Sequence, residues 1–448
     1  MKRYEDYKPT GAEWLPSIPA SWDIQKIGAL FAQRKEKVSD KDFAPISVTK
    51  NGILPQLAKA AKTDDGDNRK KVCVGDFVIN SRSDRKGSCG VSDLEGSVSL
   101  INIVLQPRDQ ISGRYAHYLL RNHLFSEEYY RNGRGIVADL WTTRYSEMKT
   151  ILLPVPPRVE QDQIVRYLDW QVSKINRLIA AKRKEIEVLK EHRTAKINNA
   201  VTKGLNADAL RAKSGYNWLP SIPSNWKPVP AKALFRSVSE FRHDSDPMLA
   251  ATQKYGLIEQ SEYMRLEGRR IVLANDNLDK WLHTEPNDFI ISLRSFQGGL
   301  EMCNKPGCVT WHYVVLRPQR DVYPGFYKWF FKSAAYIGAL QKTSDFIRDG
   351  QDLRFSNFVK VGLFIIPMDE QKEIADYLDR EVPKYDALIA NLEKQITQIT
   401  ECRTHLISDV VTGQVDVQGI EVPEYEYVDD IDAVSELTDE SDEDTEVE

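Results

Sequence analysis

The run Pro157-Arg158-Val159-Glu160-Gln161 opens a long patterned segment ending near Thr202, and Pro367-Met368-Asp369-Glu370-Gln371 opens another ending near Thr412. A shift of 210 residues lays one on the other without a gap. It places Ile164 on Ile374, Tyr167-Leu168-Asp169 on Tyr377-Leu378-Asp379, Arg193-Thr194 on Arg403-Thr404, and Val201-Thr202 on Val411-Thr412. The chain therefore carries one element twice.

Alternate steps of four and three residues trace a seam through each copy. The first reads Leu168, Val172, Ile175, Ile179, Lys182, Ile186, Leu189, Arg193, Lys196, Ala200; the second reads Leu378, Val382, Tyr385, Ile389, Leu392, Ile396, Ile399, Arg403, Leu406, Val410. Seven and nine of these ten positions are apolar in a chain that is 41% hydrophobic overall, so each segment reads as a heptad helix with a knobs-into-holes stripe. About 40 residues at ~1.5 Å each make a rod of about 60 Å. Such a stripe needs a partner. The economical partner is the duplicate, laid antiparallel if the two halves of the molecule point in opposite directions. Pro383 stands at the place of Ser173, and its missing N–H predicts a kink or a helix restart there.

A chain of 448 residues has room for two to four domains, and the repeat favours two halves. Charged residues at 28% describe a globular protein. No run approaches 18 apolar residues, and Met1-Lys2-Arg3-Tyr4-Glu5-Asp6 does not open a signal peptide, so a cytoplasmic location is expected. Cys73, Cys89, Cys303, Cys308 and Cys402 are odd in number and scattered, which argues for free thiols and against a zinc site. The formal net charge of -5 hides an uneven distribution. The stretch from Glu421 to Glu448 holds 14 of the 66 acids and no Lys or Arg, which leaves residues 1–420 at 61 basic against 52 acidic groups, a net of +9. The body is basic, and residues 414–448 are expected to form a disordered acidic tail.

A second repeat precedes each variable stretch. Trp14-Leu15-Pro16-Ser17-Ile18-Pro19 with Trp22 and Ala29-Leu30-Phe31 recurs as Trp218-Leu219-Pro220-Ser221-Ile222-Pro223 with Trp226 and Ala233-Leu234-Phe235. Two prolines within four residues do not propagate a helix, so each reads as an extended clamp that feeds a short helix and packs a domain on its rod. Between clamps and rods lie residues 23–153 and 227–366, alike in plan and diverged in letters. Thr49-Lys50-Asn51-Gly52-Ile53 and Thr252-Gln253-Lys254-Tyr255-Gly256-Leu257-Ile258 read as extended runs with a Gly turn. Gly75-Asp76-Phe77-Val78-Ile79-Asn80-Ser81-Arg82 and Asn287-Asp288-Phe289-Ile290-Ile291-Ser292-Leu293-Arg294 read as a turn, a buried strand and an Arg at its end. Val104-Leu105-Gln106-Pro107 and Val315-Leu316-Arg317-Pro318 give a further strand, followed by helices at Tyr115–Leu120 and Phe326–Phe331.

The expected division is an N-terminal clamp at 1–22, a variable domain at 23–153, a heptad helix at 154–204, and a linker with the second clamp at 205–226. The second variable domain at 227–366, the second heptad helix at 367–413 and the tail at 414–448 complete it. The fold class is α+β, in two pseudo-symmetric halves. Each half is an α+β domain followed by a long helix, the two helices pairing as an antiparallel coiled coil.

Nothing catalytic emerges. The chain lacks the Gly-Lys-Ser/Thr of a phosphate loop and the Asn/Asp-Pro-Pro-aromatic signature of amino-methyltransferases. Glu370-Gln371-Lys372 has a nuclease-like spacing but starts a helix, and seven scattered His residues indicate no cluster. What remains is recognition. Strand ends and turns carry Lys50, Asn51, Arg82, Arg85, Lys86, Arg134 and Arg144 in the first domain, and Gln253, Lys254, Arg294, Gln297, Arg348 and Arg354 in the second. Arg offers a bidentate fork to guanine, Asn and Gln offer one to adenine, and Lys neutralises phosphate. With a body of net +9, these are the candidate DNA contacts.

The Trp-Leu-Pro-x-Ile-Pro-x-x-Trp clamp, a diverged domain, and Pro-x-x-Glu-Gln before a heptad helix, all stated twice across residues 8–415, resemble the specificity subunit of type I restriction-modification systems. The resemblance implies that 23–153 and 227–366 are target recognition domains, and that rods and clamps bind two methyltransferase (modification) subunits and space two half-sites. It implies a bipartite asymmetric target in double-stranded DNA and partnership with ATP-dependent restriction and translocation subunits. No catalysis and no cofactor would belong to this chain; S-adenosylmethionine, ATP and Mg would sit on the partners. The competing reading is a non-catalytic coiled-coil adapter whose paired domains bind proteins without reading DNA. A third, an autonomous nuclease, would show metal-dependent cleavage by the chain alone. The acidic tail departs from the family plan and reads either as a solubilising end or as a DNA mimic.

Overall fold

The computed structural model describes residues 2–56, 66–135, 141–252, 254–268, 277–292, 295–319, 321–343 and 353–428. Helices and strands are mixed, with two long helices at Arg158–Lys203 and Met368–Val411. The chain divides into two compact units, Met1–Lys184 with Leu392–Glu448, and Glu185–Asn391. Each unit takes part of both long helices, so the units are not the two sequence halves.

In the first unit the antiparallel order is Cys89–Val91, Phe77–Asn80, Asn102–Pro107, Phe31–Gln33. Successive side chains of a strand point to opposite faces. Phe77, Ile79, Ile103 and Leu105 accordingly enter the main core with Trp22, Phe31, Tyr115 and Leu119, while Val78 and Val104 enter a smaller cluster with Ile46, Val72 and Val98. Both faces are covered, which is why Phe77-Val78-Ile79 is apolar throughout.

The second unit repeats the scheme with Glu301–Met302, Phe289–Ile291, Val314–Pro318 and Phe235–Val238 in that order. Phe289, Ile291 and Leu316 join one core, and Ile290 and Val315 join the other. The turn before the buried strand is held alike in both units. Asp76 accepts from Cys73 N at 2.9 Å and pairs with Arg34 Nε at 2.6 Å; Asp288 accepts from Glu285 N at 2.9 Å and pairs with Arg317 Nη2 at 2.8 Å. Burial of either carboxylate is tolerated because each is ion-paired and hydrogen-bonded.

The clamp motif forms the extended pieces Leu15–Pro19 and Ser221–Pro223, and the expected short helix follows as Ile27–Leu30 or as the 3-10 turn Ala231–Ala233. The Glu-Gln pair at the head of each rod explains itself in contacts. Trp22 Nε1 donates to Glu160 Oε1 at 2.8 Å, with Tyr4 OH on the same oxygen at 2.6 Å, and Trp226 Nε1 donates to Glu370 Oε1 at 3.0 Å. Gln161 accepts from Ser112 N and donates to the Gln110 and Pro156 carbonyls; Gln371 accepts from Tyr323 N and donates to the Asp321 and Ile366 carbonyls. Glu370 and Gln371 are thereby committed to holding the α+β domain on its helix, which accounts for the nuclease-like spacing.

The long helices have 46 and 44 residues, about 70 Å each at ~1.5 Å per residue. Pro383 lies inside the second helix, which neither stops nor restarts there, so the restart that the sequence allowed does not occur. An interior proline costs about 3 kcal/mol. Burial of Leu378, Val382 and Ile389 around it, at about 1.5–3 kcal/mol per side chain, outweighs that. In the first unit Asn176 Oδ1 accepts from Arg403 Nη1 at 2.8 Å and Lys182 Nζ donates to Gln395 Oε1 at 2.6 Å. In the second unit Arg193 pairs with Asp386 at 2.7 Å and Lys196 with Glu381 at 3.5 Å. In each unit the numbering rises along one helix as it falls along the other. Three polar interruptions of the first seam, Lys182, Arg193 and Lys196, thus meet polar partners on the second helix.

The tail corrects another expectation. Val415, Val417 and Val422 are buried in the core of the first unit. Gln163 Nε2 donates to the Val417 and Ile420 carbonyls at 3.0 and 2.7 Å, and Val428 N donates to Ser173 Oγ at 3.0 Å. Residues 414–428 are therefore packed, where the sequence reading placed disorder; residues 429–448 lie outside the described residues.

Candidate nucleic-acid interface

The strand Phe77–Asn80 delivers Arg82 at its end, where Asn80 Oδ1 accepts from Arg82 N at 3.0 Å. Thr142 forms antiparallel bridges to both Arg82 and Arg134, which draws two sites 52 residues apart in sequence onto one surface. Arg144 caps the helix Tyr145–Met148, its N–H donating to Glu147 Oε2 at 3.1 Å. Arg85 ends the 3-10 turn Ser83–Arg85 with Lys86 just after it, and the Arg85 carbonyl accepts from Tyr130 OH at 3.2 Å. Backbone positions are thus fixed while the guanidinium and ammonium groups reach outward.

Neighbouring acids temper this charge. Arg82 pairs with Asp84 at 2.9 Å, Lys86 pairs with Glu127, and Arg134, 84% exposed, approaches Glu147 at 4.0 Å. The Ser146 hydroxyl, with Arg134 adding to it, holds the Glu147 carboxyl below its ordinary value. Trp141 is exposed on the same side and offers a stacking face. Five of the seven candidates of the first domain therefore share one surface.

The other two, Lys50 and Asn51, sit at the tip of the hairpin Ile46–Thr49 and Gly52–Pro55, a turn that needs Gly52 at φ +113°. They border a cleft of about 380 Å³ with His117, Arg121, His123 and Arg403. Its described lining holds no acid. Arg121 Nη2 donates to the Lys50 carbonyl at 2.7 Å, tying hairpin to helix. Burial, with Arg121 and Arg114 nearby, drives the His117 imidazole well below its ordinary 6.5. Sequence reading missed this cleft because its walls come from segments as far apart as Lys50, His117 and Arg403.

The second unit has a counterpart of about 350 Å³ lined by Lys254, Lys328, Lys332 and Arg193, the last being the duplicate of Arg403. Here the cations are paired: Lys254 with Glu267, Lys328 with Asp379, Lys332 with Glu301, Arg193 with Asp386. Arg354 caps Phe355–Phe358 as Arg144 caps its own helix. Gln253, Arg294, Arg348 and the side chain of Gln297 lie outside the described residues. His312 is exposed in a turn with its ring centroid 3.6 Å from that of Trp311. The five cysteines are free thiols, and no helix among the described residues is long and apolar enough to cross a membrane.

No protein-family model matches the chain, and no curated protein matches it in sequence. Solved structures do. A chain from work on the structural basis of complex assembly and conformational transition of the type I R-M system aligns over 89% of this chain and 99% of its own, with a TM-score of 0.59 at 14% identity. The HsdS subunit from Thermoanaerobacter tengcongensis aligns over 89% and 98%, with a TM-score of 0.45 at 17% identity. The type I restriction-modification S subunit from M. genitalium aligns over 93% and 99%, with a TM-score of 0.35 at 15% identity. The chain has the fold of a component of type I restriction-modification systems, and the resemblance carried by its duplicated motifs agrees with that fold.

Proposed function

We propose that the chain is the specificity subunit of a type I restriction-modification complex. On this reading it is a non-catalytic, DNA-binding protein of the cytoplasm that reads a bipartite asymmetric site. Two recognition domains read unequal half-sites, and the two long helices, pairing as an antiparallel coiled coil between pseudo-symmetric halves, set the spacer. Two modification subunits would supply adenine methylation with S-adenosylmethionine, and restriction subunits would supply ATP- and Mg-dependent translocation and cleavage; the chain itself would hold no cofactor.

The observation that supports this best is the near full-length fold likeness to a type I chain, TM-score 0.59. The basic surface around Arg82, Arg134 and Arg144 is the natural contact for one half-site, because side chains there have the forked and cationic chemistry that base edges and phosphates take. Long-read mapping of methylated adenines in cells with and without the gene tests the proposal. A two-part asymmetric motif methylated only when the gene is present supports it. A methylation pattern unchanged by the gene overturns it.

A further inference from the structure

Folding brings together two histidines that lie 40 residues apart in sequence. Glu240, His243 and His283 each offer one ligand atom, and those atoms all lie within 4.8 Å of one another. His283 is 3% exposed on the strand Leu282–Thr284, and its Nδ1 meets the buried Asp246 Oδ2 at 2.8 Å while its Nε2 faces Glu285 Oε1 at 3.0 Å. His243 lies on the preceding loop, 54% exposed, with Nε2 at 3.5 Å from Glu240 Oε1. The loop is registered on the strand by His283 N to the Glu240 carbonyl at 2.8 Å and Arg242 N to the Trp281 carbonyl at 2.9 Å. The residues are therefore held in place by backbone, not assembled by chance exposure.

We propose that this group in the second recognition domain binds one zinc-like divalent cation, ligated by His283, His243 and Glu240. Imidazole and carboxylate ligands suit zinc. A buried carboxylate on the far nitrogen of a metal-bound imidazole is the usual orienting arrangement, and Asp246 holds that position on His283.

The charge balance points the same way. Three carboxylates, Glu240, Asp246 and Glu285, face two imidazoles whose ring centroids are 4.1 Å apart, with Arg317 reaching only Glu240, at 3.7 Å. Two stacked imidazoles resist carrying a proton each, since like charges so close disfavour one another. One divalent ion does that work without the repulsion. Ligand atoms 2.0–2.1 Å from zinc lie roughly 3.3 Å apart, so the exposed His243 ring and Glu240 must turn inward, and the half-exposed Glu285 carboxylate must yield His283 Nε2 to the ion or join it as a fourth ligand. The ion would staple residues 240–246 to the strand.

The test uses the full-length chain, stripped with chelator and equilibrated with zinc chloride, with bound zinc counted by mass spectrometry after gel filtration. One zinc per chain is expected. His243→Ala, at an exposed position and with its fold checked by circular dichroism, should weaken binding by at least about 100-fold. Asp246→Asn, at a positioning residue that holds His283 Nδ1 and accepts from His243 N, should weaken it by about 10- to 100-fold. Cobalt(II) in place of zinc should give a tetrahedral absorption band that His243→Ala abolishes. Zinc uptake below one per chain, or a His243→Ala chain that binds as the parent does, overturns the proposal in favour of a proton shared among His283, Asp246 and Glu285. None of these readouts depends on DNA or partner subunits, so the result stands apart from the proposed function.

Discussion

Trp22 and Glu160 are joined by an indole-to-carboxylate hydrogen bond of 2.8 Å across 138 residues of chain, and the duplicate pair Trp226 and Glu370 is joined in the same way at 3.0 Å. A clamp and a helix head that look unrelated along the sequence are thus two ends of one joint, made once in each unit. Glu160 is the more buried of the two acids and also receives Tyr4 OH. Glu160→Leu should therefore orphan two donors, the Trp22 indole fully buried, and destabilise the first unit by about 3 kcal/mol, while Glu370→Leu, whose second donor Asn225 Nδ2 is exposed, should cost less. Urea denaturation followed by Trp fluorescence measures both; equal effects would contradict the assigned joint.

Gln371 is fully buried with its amide donating to two carbonyls and accepting one N–H. Gln371→Glu keeps the acceptor and loses both donations, so we expect a loss of about 3 kcal/mol or more in the second unit. Gln371→Met, which has similar volume and no charge, should be the milder change. The same urea titration ranks them.

Arg134→Glu combined with Arg144→Glu should remove two outward cations from one surface without touching the core. Loss of each phosphate contact lowers the slope of log affinity against log salt by about 1. Fluorescence anisotropy with target duplex over a salt series reads both slope and affinity. Unchanged binding would move the DNA contact away from this surface and favour a protein-binding adapter.

Removal of 429–448 and removal of 414–448 should differ sharply. The shorter deletion leaves Val415, Val417 and Val422 in the core and should leave sequence preference intact. The longer one takes these three valines out of the core and strips Gln163 of two carbonyls, costing several kcal/mol at about 1.5–3 kcal/mol per lost buried side chain. Thermal unfolding and methylation mapping of the two truncations decide the point.

His117 should make the first unit acid-sensitive. Burial first, and then Arg121 and Arg114, lower its folded value well below 6.5, so the unfolded chain takes up a proton that the folded chain refuses. The stability this contributes is present above pH 6.5 and is lost as pH falls below it. His117→Gln should flatten the fall of the unfolding midpoint between about pH 7 and pH 5.

Periodicity and repetition are local properties of the letters, and they carried a large part of the architecture. The heptad stripe, the clamp prolines and the Gly-Asp-Phe turn each bias their own backbone, so the long helices, the extended clamp and the buried strand were legible with no partner known. The same rules failed where a distant contact outweighed a local preference. Pro383 breaks a lone helix, yet Leu378, Val382 and Ile389 are buried beside it and carry the helix through. Residues 414–428 are acidic enough to read as disordered, yet three valines and the Gln163 amide capture them.

By itself the sequence determined that this protein is a duplicated molecule with a basic body, because identity at a fixed offset and net charge need no coordinates. Only the tertiary structure decided which side chains meet. Thr142 unites Arg82 with Arg134, a hairpin brings Lys50 to Arg121 and Arg403, and a strand lays His283 against His243. Sites of this kind are fixed by how separate elements pack, and packing couples residues whose spacing along the chain carries no trace of the encounter.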